Sequence, residues 1–220
     1  VKEGKLKKPA LLDSIIYKGD DNKYYEQVGK SDKEITEEIA FDLPNGWSWC
    51  RLKDICSIFT GATFKKEETV TTKEGVRILR GGNISPFELR IKDDDIFLTK
   101  DKVKEDIILK ENDILTPAVT SLENIGKMVR VNSDMPNTTV GGFVFIIRLY
   151  LKNQWLSKYI LYLLSSPFMI DFMKSITNKS GQAFYNIGKE RLSTALLPIP
   201  SLAEQHRIVA QIEKLFEQLR

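Results

Sequence analysis

In the run Leu197-Pro198-Ile199-Pro200-Ser201-Leu202-Ala203-Glu204-Gln205-His206-Arg207-Ile208, two prolines one residue apart are followed at once by a polar-capped, amphipathic segment. Pro200 lacks an amide hydrogen, so no helix continues through it from upstream. Ser201 stands at the N-cap position, and Glu204, three residues on, is placed to close a capping box with it. Ile208, Ile212, Leu215 and Leu219 then recur at helical spacing, with Val209 and Phe216 widening the apolar stripe. The pattern predicts a helix that has to lie against another apolar surface. No glycine, asparagine or proline ends it before Arg220, and Val1 is not a starting methionine. The expectation is a piece of a longer protein in which this helix continues.

The 220 residues are enough to bury a real core. Their 42% hydrophobic and 29% charged content is that of an ordinary globular chain, without a signal peptide or an apolar run long enough to span a bilayer, so no membrane role is expected. Cys50 and Cys56 form no ligand pattern and read as reduced, partly buried thiols. A net charge of +3 is too small to imply nucleic-acid binding by itself. Its distribution says more: from Met135 to Lys189 the only acid is Asp171, against Arg148, Lys152, Lys158, Lys174, Lys179 and Lys189. One part of the fold should carry a positive field. Acids gather instead at Asp93-Asp94-Asp95, which reads as a solvated run, and between Glu34 and Asp42.

Residues 1–42 are lysine-rich, then polar and weakly patterned, and read as an arm or linker resting on the body through Ile15, Ile16 and the tyrosines. At Leu43-Pro44-Asn45-Gly46-Trp47 a turn leads into an alternating strand, so a compact domain is expected over residues 43–200. A short helix is expected over 52–58, and strands over 76–79, 96–99, 113–119, 127–131 and 142–149, where β-branched residues concentrate. From Gln154 the period changes to 3.6, and Ser166-Pro167 supplies an N-cap and first-turn proline for a second helix. Residues 178–186 read as a polar loop with aromatics, 189–193 as a helical turn, 195–199 as a strand, and 201–220 as the start of a spacer or dimerisation helix. The fold class is α/β (α+β): a globule of short strands and helices followed by a coiled-coil-type helix.

The parts of an enzyme are mostly missing. Arg80-Gly81-Gly82-Asn83 is too short and lacks the lysine of a phosphate-cradling loop, although its glycines suggest a tight, backbone-exposed turn. A lone histidine, His206, supports neither a nucleophilic triad nor a multi-histidine metal site, and reads as a solvent-facing helix residue. A DNA-modifying enzyme, either a nuclease or a methyltransferase fragment, is therefore the secondary reading. Binding chemistry is better represented. The loops 63–68, 80–85, 116–127 and 178–186 combine Arg, Lys, Asn, Gln, Ser and Thr with glycine, the residues that meet phosphates and base edges.

Leu43-Pro44-Asn45-Gly46-Trp47 with Arg51-Leu52, Leu79-Arg80-Gly81-Gly82-Asn83-Ile84, Asp113-Ile114-Leu115, Phe184-Tyr185-Asn186-Ile187, and Leu197-Pro198-Ile199-Pro200 through Glu204-Gln205 to Ile208-Val209 together resemble the DNA-specificity subunits of type I restriction-modification systems. The resemblance covers residues 43–220, and Gly4-Lys5-Leu6 looks like the segment that follows the first long helix of such subunits. It implies a target recognition domain that reads one half of a split sequence in double-stranded DNA. It also implies a helix that pairs with a second recognition domain or a second copy and docks methyltransferase and restriction subunits. No cofactor is implied on this chain; S-adenosylmethionine belongs to the methyltransferase partner. The place implied is the cytoplasm.

On this reading Lys65, Lys66, Lys127, Lys174 and Lys179 meet phosphates. Thr63, Arg80, Gly81, Gly82, Asn83, Thr120, Ser121, Asn124, Gln182, Tyr185 and Asn186 are candidates for base-edge or close backbone contact. The motif residues Arg80 to Asn83 and Tyr185-Asn186 could equally serve as turn former and buried tyrosine. Ile208, Ile212, Leu215 and Leu219 form the expected helix interface.

Overall fold

The computed structural model describes residues 14–71, 74–180 and 183–219. At its centre lies an antiparallel sheet in the order Val129–Arg130, Ile114–Pro117, Val144–Leu149, Cys56–Thr60. Val144–Leu149 is apolar at nearly every position because it is covered on both sides. Phe145, Ile147 and Leu149 face one core cluster, shared with the helices, while Val144 and Ile146 face a second with Leu79, Leu115, Val129 and Val140. A second sheet, Thr138–Val140, Val76–Leu79, Ile96–Leu98, Thr69–Val70, contains a parallel pair between its first two strands. Its inner residues Val76, Ile78 and Leu98 form a third cluster with Ala62.

Five α-helices accompany the sheets among the described residues: α1 Leu52–Ile55, α2 Gln154–Leu164, α3 Pro167–Ser175, α4 Lys189–Ser193 and α5 Leu202–Gln218. The N-caps expected at Ser166 and Ser201 form, and Asn153 adds one at α2. Asn153 Oδ1 accepts from the Trp155 and Leu156 amides, Ser166 Oγ from Met169, and Ser201 Oγ from Glu204. The capping box at α5 is not completed, because the Glu204 carboxylate turns forward to form two hydrogen bonds with Arg207, at 2.8 and 2.7 Å.

Three further expectations change on folding. The helix expected over 52–58 stops at Ile55, since Cys56–Thr60 is claimed by the ladder with Val144–Leu149. The expected loop 178–186 is an antiparallel hairpin, Thr177–Ser180 against Phe184–Ile187, whose second strand pairs with Val119–Thr120. In the segment read as an arm, Ser14–Lys18, Tyr24–Val28 and Ser31–Glu34 form a meander. Its weak patterning has a physical cause: among the described residues of this region only Glu26 and Ile35 are buried, so there is little apolar alternation to detect. Of the expected anchors Ile16 is half-buried, whereas Ile15 and Tyr17 are exposed.

The meander is held to the body by charge. Arg51, on the strand Ser48–Arg51, donates to Glu26 from Nη2 at 2.7 Å, pairs through Nη1 with Glu38 at 2.7 Å, and reaches the Thr194 carbonyl at 2.8 Å. The same strand pairs with Leu196–Ile199, so the approach to α5 is laid beside the start of the domain. Helix α5 packs along α2. Val209 is fully buried, Lys158 meets Glu213 at 2.7 Å, and His206, though exposed, lies against Trp155 with its ring tilted and the centroids 3.9 Å apart. The stripe predicted for a partner is thus divided. Gln205 and Val209 are buried on this domain, Phe216 touches the Tyr162 ring while remaining 39% exposed, Ile208 and Ile212 are half-buried, and Leu215 and Leu219 stand exposed at 50% and 83%. Cys50 and Cys56 are free thiols pushed up to about 12 by burial. No described helix is long and apolar enough to cross a membrane.

The hydrogen bonds from Arg51 hold the Glu26 carboxyl below the ordinary glutamate range. A depressed folded-state pKa contributes stability that is complete above the unfolded pKa of about 4.3 and is lost as pH falls towards the folded value. Urea unfolding should therefore show Glu26→Gln destabilised by about 3 kcal/mol at pH 7, through the unpaired Arg51. The gap to the parent should shrink as the pH is lowered through 4 towards 3.

Candidate functional site

Three segments distant in sequence are knitted into the floor of a cleft. The Ala62 amide donates to the Val140 carbonyl at 2.8 Å, and the Gly141 amide to the Leu79 carbonyl at 2.8 Å. A Cβ on Gly61 would come within 1.8 Å of the Val140 oxygen, so glycine is required there by the approach of the two backbones. The cleft above this floor encloses about 570 Å³ and is lined by Thr63, Phe64, Arg80, Gly81, Val119, Gly142 and Phe143 among others. Gly81 is different from Gly61. A Cβ there would meet nothing nearer than Pro117 at 3.7 Å, and its φ is not positive, so the fold itself has no need of glycine at this point. A bare backbone is presented to the cleft without a structural reason.

The wall at Val119 extends outwards. Val119 and Thr120 pair with Asn186 and Tyr185, and those in turn with Asn178 and Lys179. Loop 63–68, the Arg80-Gly81 turn, strand Val119–Thr120 and the 177–187 hairpin, spread over more than a hundred residues of sequence, therefore form one continuous surface. Thr63, Lys65, Lys66, Arg80, Gly82, Lys174, Lys179 and Asn186 are exposed on the molecule, and Tyr185 and Lys127 are half-buried. The Arg80 guanidinium is half exposed and only loosely held, with Nη2 3.3 Å from the Asp94 carbonyl and 3.5 Å from its carboxylate.

Other candidates are engaged within the fold. Asn83 is 1% exposed: its Oδ1 accepts from the Arg80 amide at 2.8 Å, and its Nδ2 donates to the Arg90 carbonyl at 2.8 Å and to Asp95 at 2.6 Å. It closes the turn and has no edge left for a base. Asp95, expected to be solvated, is 6% exposed and receives Asn83, the Lys92 amide and Arg77. Burial pushes its carboxyl up, but these donors outweigh burial and hold it below the ordinary aspartate range. Thr120 is 8% exposed. Ser121 and Asn124 bond to one another at 2.8 Å, and Ser121 also to Glu123 at 2.6 Å, shaping their own turn. Gln182, like Gly4-Lys5-Leu6, lies outside the described residues.

The positive field is also redistributed. Arg148 is engaged by Asp113 through two 2.7 Å bonds and by the Asp106 and Ile108 carbonyls, and Lys158 by Glu213, so both are structural. Lys174 and Lys179 remain exposed beside the hairpin. One residue was missed by sequence reasoning. Phe143 is 74% exposed at the cleft rim, its backbone fixed by the Ala118 amide bonding to its carbonyl. Inside an apolar run, nothing in the sequence separates it from the core residues that follow. The described residues contain no cluster of His, Cys, Asp and Glu that could hold a metal ion.

Residues 44–220 match the family described as the type I restriction modification DNA specificity domain. The chain is 29% identical over 235 residues to the type I restriction enzyme EcoAI specificity subunit of Escherichia coli, covering 99% of this chain and 33% of that protein. To the EcoEI specificity subunit, also from Escherichia coli, it is 23% identical, with 99% and 34% covered. It thus spans about a third of these relatives' length. Among solved structures it is similar to a chain of a type I R-M system complex, with a TM-score of 0.60 and 21% identity over 81% of this chain and 40% of that one. The HsdS subunit from Thermoanaerobacter tengcongensis gives a TM-score of 0.55 and 23% identity over 81% and 39%. Both share the α/β fold seen here.

Replacing Asn83 with alanine removes three hydrogen bonds and leaves Asp95 with fewer donors in a dry site. Urea unfolding should show a loss of about 2 to 3 kcal/mol, marking a structural residue rather than a reader of bases.

Proposed function

The chain belongs to the family of type I restriction modification DNA specificity domains, and on that premise we propose that it is a non-catalytic module that reads one half of a bipartite target in double-stranded DNA. The observation that carries the proposal is the cleft. Arg80 sits half exposed and loosely paired beside Gly81, whose lack of a side chain the fold does not demand. Arginine offers a planar pair of donors to the major-groove edge of guanine. A glycine with no structural reason leaves room for a ligand to come against the backbone. Thr63 and Asn186 add polar groups along the same surface, while Lys65, Lys66, Lys174 and Lys179 supply charge for phosphates. Phe143 presents a rigidly mounted ring at the rim, suited to stacking or to wedging at a base step.

In this reading residues 43–200 are the recognition domain, and α5 is the start of a spacer. The helix uses Gln205, Val209, Phe216 and part of Ile208 to hold its own domain and offers Ile212, Leu215 and Leu219 to a second recognition domain or second copy. Methyltransferase subunits, carrying S-adenosylmethionine, and restriction subunits would dock around that pair in the cytoplasm. The alternative of a DNA-modifying enzyme has no specific observation in its favour.

Two variants of the full specificity protein, assembled with its methyltransferase partner, test this. Arg80→Ala should weaken binding to the cognate site by about 1 to 3 kcal/mol and relax choice at one base. Lys179→Ala should weaken binding on all sequences and lower the slope of log affinity against log salt by about 1. Unaltered methylation specificity after exchange of the whole cleft and hairpin for a relative's would sink the proposal.

A further inference from the structure

The hairpin that follows Asn83 contains an anomaly. Ile84 and Ser85 pair with Leu89 and Glu88, so Pro86-Phe87 is a two-residue turn, and Phe87 has φ of 62°. Proline at the first position suits such a turn, but the second position with positive φ belongs to glycine or asparagine. The other positive-φ residues that are not glycine among those described are asparagines, Asn22 and Asn112. A phenylalanine held in the left-handed region persists only where its surroundings fix it.

Contacts to its amide and to its ring fix it. The Phe87 amide donates to the Met128 carbonyl at 2.8 Å. Its ring lies 5.5 Å from that of Tyr162 on α2 and 5.4 Å from that of Phe216 on α5, and those two lie 5.9 Å from each other. Phe216 is near the far end of α5, roughly 22 Å along the helix from Ser201. The contacts nearer the cap, Gln205 with the Pro200 carbonyl and His206 with Trp155, set where α5 begins; contacts at the far end set where it points. A slack of about 1 Å at Phe216 would swing the helix by roughly 3°. At the other end of the hairpin the Arg90 amide donates to the Asn83 carbonyl and Asn83 Nδ2 to the Arg90 carbonyl, each at 2.8 Å. The turn carrying Arg80 and Gly81 into the cleft and the turn carrying Phe87 to the helix are thus the two ends of one clasped unit.

We propose that Phe87 is a positioning residue that locks the direction of α5 to the cleft-lining turn, and through it the distance between the two half-sites that the assembled protein accepts. This rests on the reading of the chain as a DNA specificity module with α5 as its spacer. It adds that the left-handed phenylalanine is tolerated because its ring bridges reading surface and spacer. A ring that served stability alone would leave spacing untouched.

The test uses the full specificity protein assembled with its methyltransferase subunits, after the wild-type methylation motif has been determined. Methylation rates are compared on the motif and on versions one base pair longer or shorter between the half-sites. Phe87→Gly removes the ring and relieves the backbone, Phe87→Ala removes the ring and keeps the strain, and Phe216→Ala removes the ring's partner on α5. All three should keep the same half-site sequences and lower the preference for the native spacing at least about fivefold. The two Phe87 variants should relax it equally despite unequal thermal stability. If half-site choice and spacing preference both stay at wild-type values, or spacing relaxes only in proportion to lost stability, the clamp is overturned. A wild-type complex that methylates without sequence choice would overturn both the clamp and the reading beneath it.

Discussion

Arg51 holds together more of this molecule than any single apolar contact. Its guanidinium is 6% exposed and joins the meander through Glu26, the turn Thr36–Glu38 through Glu38, and the end of α4 through Thr194. Burying the Arg51–Glu26 pair is costly unless the donors are used, and here the guanidinium is met by oxygens of Glu26, Glu38 and Thr194. Arg51 also ends the strand that pairs with Leu196–Ile199, lying opposite Leu196 at the start of that strand. An arginine is suited to this where a lysine is not, since only a planar fork can bond in several directions from one buried place.

A similar arrangement recurs at Asp95 and Asp113. Each is a buried carboxylate gathering an arginine and backbone amides, the first tying the Arg80–Asn83 turn to its strand and the second tying Arg148 of the central strand to the loop before it. The short strands of this fold cannot by themselves hold long loops in place, and these pairs supply the rigidity. The surface built on them is therefore stiff in its backbone and free in its side chains. The Arg80 amide is bonded to Asn83, and the Phe143 carbonyl accepts from the Ala118 amide. A reading surface needs that combination, because a misplaced donor loses most of its discrimination between bases.

Much of the architecture was legible in the residues. The Ser166 and Ser201 caps, the change of period at Gln154, the β-branched strands and the proline-bounded entry to α5 are consequences of nearest-neighbour chemistry, which tertiary contacts did not override. What failed locally failed because of pairing. Cys56–Thr60 prefers the ladder offered by Val144–Leu149 to a helix, and polar residues 178–186 become a hairpin because Val119–Thr120 supplies an edge. The meander went unseen because a sheet bound by an ion pair rather than an apolar face leaves no alternation to read.

Family and fold class were thus legible in the sequence alone, since motif spacing and periodicity are properties of the chain. Which candidates meet in space was decided only by the tertiary structure. Asn83, Arg80 and Gly81 stand side by side in one motif, yet one is buried as a clasp and the others line a cleft with Thr63 and Phe143. The apolar stripe of α5 was likewise continuous in sequence and divided by packing, with Val209 and Phe216 turned to the domain and Leu215 and Leu219 left outward. Burial depends on what folds back from far along the chain, and no local pattern records it.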